Sequence, residues 1–106
     1  MRTDRSVSGE YRLQFTPTAR KTLEHLSSQP QYEKQLRQVR RALGRLQGDP
    51  RHPGLHSHEH SSLHGANGED VWDSSSENHV PAAWRPFWHY GPTENVITIL
   101  MITPRP

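Results

Sequence analysis

Between Ala82 and Tyr90 of this chain, an arginine, a phenylalanine and a histidine recur at every second position: Arg85, Phe87 and His89. If the stretch is a strand, period two sets all three on one face. Such a face has the parts that handle a phosphodiester. A guanidinium grips phosphate through paired donors. An aromatic ring stacks on a base, and an imidazole titrates near neutrality and passes protons either way.

A second row of candidates lies upstream. In His56-Ser57-His58-Glu59-His60 the histidines alternate again, with His52 and His64 on either side. On a strand running from His56 to Leu63 they share one face, about 7 Å apart, with Glu59 on the other. Zinc needs donors converging at about 2 Å. Three in-line positions make a poor cage, so no metal or other cofactor is expected. The row reads as a solvated strand or as a phosphate-contacting surface sensitive to pH. Arg37, Arg41 and Arg45 form a third group, an i, i+4, i+8 ridge with Arg40 beside it. Most such ridges are simply solvated; their other use is phosphate contact, which gives affinity without base specificity. Arg51 is grouped with His56 and His58 as a nucleic-acid contact.

These residues need elements to hold them. Tyr11, Leu13 and Phe15 alternate from Glu10 to Phe15, which makes a first strand with one buried face. Thr16-Pro17 starts a helix with a capping hydroxyl and then proline at the first helical position. Ala19, Leu23 and Leu26 carry its apolar side as far as Ser27-Ser28-Gln29-Pro30. A second helix spans Gln31 to Gln47, where Tyr32, Leu36, Val39, Leu43 and Leu46 form one stripe. Gly48 caps it and Asp49-Pro50 forbids continuation. The short break between the two favours an antiparallel helical hairpin.

Beyond the histidines, Asn67-Gly68 signals a turn. Val71 to Ser76 is a short strand, Glu77 to Pro81 turns, and Ala82 to Tyr90 and Asn95 to Thr103 are strands joined by Gly91-Pro92. Val96 to Ile102 is apolar on both faces, so the last strand belongs inside the sheet. The order is β-α-α-β-β-β-β. It predicts an α+β fold of two layers, with the hairpin covering one face of an antiparallel sheet and the other face open and concave. Trp84, Trp88 and Tyr90 fall on the covered face, away from Arg85. Pro86 lacks a ladder donor, which predicts an edge strand or a bulge beside Arg85.

Composition sets outer limits. The 106 residues make one domain, read as 10–106 after a polar leader at 1–9. There is no cysteine, which excludes disulfides and thiolate chemistry and fits a reducing compartment. No apolar run approaches the ~20 residues of a membrane span, and the opening residues have no apolar signal core. A cytoplasmic protein is expected. The net charge of +2 is small, but lysine occurs only at Lys21 and Lys34 and nearly every cation is arginine. That balance suits a nucleic-acid partner and equally suits an ordinary basic surface.

Several stretches together resemble a known family. They are Asp49-Pro50-Arg51-His52-Pro53-Gly54-Leu55, Val71-Trp72-Asp73-Ser74-Ser75, Glu77-Asn78-His79-Val80-Pro81, Ala83 to Pro92, and Ile97 to Pro106. With the helical hairpin before them, they resemble the RelE/ParE toxins of bacterial toxin–antitoxin pairs, and the RelE-like branch most. That resemblance implies an endoribonuclease that cuts mRNA, usually on the ribosome, without a metal, and that is bound by a cognate antitoxin. It implies phosphate contact for Arg85 and for Arg105, with His89 as the candidate for proton transfer. Related sequences usually end Ile-Thr-Pro-His-Pro, so Arg105 replaces a histidine and moves proton transfer elsewhere. The other branch of the family shares the fold and acts on DNA gyrase by binding, and a decayed toxin acts only on its antitoxin; fold alone does not choose among these. Catalysis requires Arg85, His89 and Arg105 to converge on the face away from the helices. An Arg85 buried in an ion pair counts against it.

Overall fold

The alternation of Tyr11, Leu13 and Phe15 does make a strand, β1 (Arg12–Phe15), and Thr16 turns the chain out of it into the first helix, α1 (Pro17–Ser28). The computed structural model describes residues 10–76 and 83–104. Thr16 acts at both ends of this corner. Its Oγ1 accepts from the Ala19 N–H at 3.1 Å and donates to the Leu100 carbonyl at 2.6 Å. The cap thus ties the helix start to the sheet. Thr16→Ala is expected to cost about 1–2 kcal/mol, read as a lower urea midpoint at unchanged slope.

A single 3₁₀ turn at Pro30–Tyr32 leads into α2 (Glu33–Gly48), two residues later than the apolar stripe alone indicates. Gly48 is the last helical residue and not the cap. Asp49 caps, with its N–H bonded to the Arg45 carbonyl. The stripe itself faces inward: Val39, Leu43 and Leu46 are buried, and Leu36 and Tyr32 pack at the margin.

The remaining strands are β2 (His58–His64), β3 (Asp70–Asp73), β4 (Trp84–Tyr90) and β5 (Val96–Pro104). They form one sheet in the order β1-β5-β4-β3-β2. The β2-β3-β4-β5 succession is an antiparallel meander, and β1 joins parallel to β5. The fully apolar β5 therefore lies inside the sheet, and it contributes Ile97, Ile99 and Ile102 to the core. Both helices pack on one face, α1 over β5 and α2 over β4. Trp88 is completely covered there, Trp84 meets Tyr32 edge-on at 6.3 Å, and Tyr90 at the open end stays 40% exposed. Among the described residues no helix is long and apolar enough to cross a membrane.

Three expectations change. The His-rich strand begins at His58, because His56 ends a 3₁₀ turn at Pro53–Leu55 with left-handed backbone, φ 47°. Pro86 sits in an interior strand. It is tolerated because β3 pairing ends at Asp73, leaving the Ser74 N–H bonded to the Pro86 carbonyl and no ladder acceptor needed beside it. A register shift does fall next to it, between Phe87 and Trp88 on the β5 side. Lastly, the face away from the helices is not open at β4. Arg85, Phe87 and His89 are 4%, 8% and 5% exposed. Arg85 is covered by Asp73 and the His56 backbone, Phe87 by the His60 ring, and His89 by Gly65 at the tip of the β2–β3 hairpin, where β2 carries a long bulge. His60 pairs with Val71 and His64 with Asp70, so four steps along β2 match one along β3. Such a bulge bends the strand, and the hairpin tip lies over β4. The turn expected at Glu77–Pro81 and the candidate Arg105 lie outside the described residues.

Candidate functional site

Asp73 closes β3 on the face away from the helices, 5% exposed. A carboxylate so deep needs partners, and it has two. One oxygen is held by the Arg85 guanidinium through Nε and Nη2, and the other by the His60 Nε2. Arg85 also donates from Nη2 to the His56 carbonyl at 2.8 Å. The guanidinium expected to grip a phosphate is thus engaged inside the protein.

His60 sits differently. Its side chain remains 34% exposed, and its ring lies on Phe87 with centroids 5.0 Å apart. Because the Asp73 carboxylate can only accept, the His60 Nε2 donates to it, and Nδ1 is the ring nitrogen left for other chemistry. His58 shares this face two residues away, opposite Asp73 in the β2–β3 pairing, and is exposed. The two residues are therefore about 7 Å apart along the strand. Among the described residues no group of three or more His, Cys, Asp or Glu is placed to hold a metal ion.

His89 lies under the hairpin tip. Its Nδ1 donates to the Tyr90 carbonyl at 2.8 Å, and its ring presses on Gly65. A Cβ at Gly65 would come within 2.9 Å of the His89 Cδ2 and would strike the Glu69 carboxylate. Any larger residue here would force the His89 ring and the Glu69 carboxylate to shift. The backbone N–H groups of Glu69 and Asn67, with the nearby His89, hold the Glu69 carboxyl below the usual carboxylate range. A lowered folded-state value contributes stability above the ordinary carboxylate pKa, and that stability is lost as pH falls through the lowered value. Glu69→Gln is accordingly expected to flatten the acid limb of a melting-temperature profile taken from about pH 7 down to about pH 3.

The structure brings Arg85, Phe87 and the His58–His60 row together. It separates off His89, which is covered, and His56, whose side chain leaves the row. Of the helix ridge, Arg37 is exposed beside Glu33, with a long 3.9 Å ion pair, and Arg41 is exposed. Arg45 turns to the loop after α2 and donates to the Gly54 carbonyl at 3.1 Å. Arg51 is exposed at the start of that loop. Sequence reasoning passed over Asp73 and gave His60 no role of its own. Alternation separates Trp72 from Asp73, but only the β2–β3 register sets Asp73 on the histidine face.

Comparison with solved structures decides the fold. The chain matches the crystal structure of an archaeal RelE–RelB complex from Pyrococcus horikoshii OT3, with a TM-score of 0.60 at 20% identity, over 91% of this chain and 96% of that one. The fold is that of RelE. No protein-family model matches the sequence, and no curated protein matches it. In this RelE fold, His58, His60, Asp73 and Arg85 occupy the sheet face that the two helices leave uncovered.

Proposed function

We propose that this protein is a RelE-type toxin, held by an antitoxin and cleaving mRNA, on the ribosome, without a metal ion. The observation that carries the reading is the His60–Asp73–Arg85 cluster, with His58 beside it, on the free face of a RelE fold. Cleavage by the 2′-hydroxyl needs a base at that hydroxyl and an acid at the departing 5′-oxygen. His60, aligned by Asp73 as a triad histidine is by its carboxylate, takes the 2′-proton at Nδ1. His58 gives a proton to the 5′-oxygen. Arg85 neutralises Asp73, so the carboxylate orients the imidazole without repelling the phosphate. Phosphate contact falls to other cations, and the resemblance to RelE-like sequences implies Arg105 for it. The antitoxin partner is supported by the archaeal relative, which was solved as a complex with RelB.

Primer extension on cellular mRNA after induced expression tests this. New 5′ ends are expected with the wild-type chain and are expected to vanish in His60→Ala. Ends that persist unchanged in that variant would overturn the assignment.

The burial of Arg85 favours a second reading, a toxin that acts by binding alone, on gyrase or only on its antitoxin. It predicts growth arrest with intact mRNA, equal in wild type and His60→Ala.

A further inference from the structure

We propose that the cleft on the helix side of the sheet, beside the end of α2, binds one nucleotide of single-stranded RNA, with its base on Tyr90 and its phosphate on Arg51. The cleft has a volume of about 800 Å3 and lies between Tyr11, the loop carrying Arg51, His52 and His56, and the strand residues Trp72 and Tyr90. It exists because α1 packs over β5 and α2 over β4, while neither helix packs extensively on β3. Trp72 is left half-buried at the cleft floor, stacked on the fully buried Trp88 at 6.2 Å and 20°.

The walls suit a flat aromatic ligand. Tyr90 is 40% exposed, and its ring is held edge-on by Trp88 at 5.1 Å and flanked by Tyr11 at 6.1 Å. A ring fixed in this way offers a stacking platform at little cost in side-chain entropy. The rim suits a phosphate. None of the lining residues is acidic. The exposed Arg51 has no carboxylate partner among the described residues. The nearby Asp49 is occupied with the Arg51 backbone N–H at 3.1 Å. His52 accepts the Gly54 N–H at Nδ1, 2.8 Å, so its Nε2 carries a proton and is a second donor. The volume is in the range of small-ligand pockets.

This inference rests on the RNA-binding half of the reading above and not on cleavage. The cleft is on the other side of the sheet from His58 and His60, so the two can fail separately. The test is tryptophan fluorescence of the full chain titrated with 5′-AMP, adenosine and ribose 5-phosphate. Saturable quenching by 5′-AMP is expected, with the two fragments at least about fivefold weaker. Tyr90→Ala is expected to weaken 5′-AMP about fivefold or more, and Tyr90→Phe to retain it. Arg51→Ala, a surface change that leaves the far-ultraviolet dichroism unaltered, reduces 5′-AMP to the level of adenosine. No saturable quenching up to about 10 mM, or equal quenching of wild type and Arg51→Ala, overturns the proposal. So does saturation by the peptide Ac-Glu-Phe-Glu-amide with none by 5′-AMP, which assigns the cleft to a protein partner. If 5′-AMP binds as described while His60→Ala still cleaves RNA, the cleft stands and the catalytic assignment falls.

Discussion

Arg85→Ala is expected to destabilise the protein by about 3–5 kcal/mol, the cost of leaving a buried carboxylate without its cation. Arg85 and Asp73 are 4% and 5% exposed, so water replaces little of what is lost. The change also removes the donor to the His56 carbonyl, which anchors the loop after α2. A domain of this size has about 5–15 kcal/mol in total, so the loss takes a large part of it. Urea denaturation measures it directly. The complementary result is as informative. Arg85→Met combined with Asp73→Leu removes both charges and is expected to recover most of the loss, since apolar replacement of a buried pair is often neutral or stabilising. A single-variant loss below about 1 kcal/mol would mean that the pair is solvated. Loss of RNA cleavage in Arg85→Ala alone therefore does not identify a phosphate ligand, because unfolding gives the same result.

His60→Ala separates chemistry from stability. A positioned acid or base contributes about 10²–10⁴ in rate, so cleavage is expected to fall by that factor. The cost in stability is small, since the His60 side chain is 34% exposed and its partner keeps Arg85. The pH profile adds a check that a structural role does not pass. With His60 as base and His58 as acid, the wild-type rate follows a bell in pH. His60→Ala removes the acid limb and His58→Ala the alkaline limb. Equal loss at every pH in both variants would contradict the assignment of roles.

Much of the scaffold can be read from local spacing. The positions of Leu36, Val39, Leu43 and Leu46 define the face of α2 that meets the sheet, and the unbroken apolar run in β5 places it inside. Thr16-Pro17 marks the first corner to the residue. The candidate site is less legible, because alternation assigns a face and not a neighbour. Arg85 on one strand and Asp73 on the next become partners only once register is set, and His60 reaches Asp73 because the β2 bulge falls after it. The same bulge carries Gly65 onto His89, and a run of Ser61, Ser62 and Leu63 gives no local sign of it. His56 keeps the period of two in sequence yet leaves the strand, since the Pro53 turn fixes its backbone first.

The most direct test of the central claim is the chemistry of the RNA ends made by the purified protein on ribosome-bound mRNA in excess EDTA. Attack by the 2′-hydroxyl, with His60 and His58 moving the protons, predicts cleavage undiminished by the chelator and products ending in 2′,3′-cyclic or 3′-phosphate and 5′-hydroxyl. No cleavage under these conditions, or fragments carrying 5′-phosphate, would contradict it.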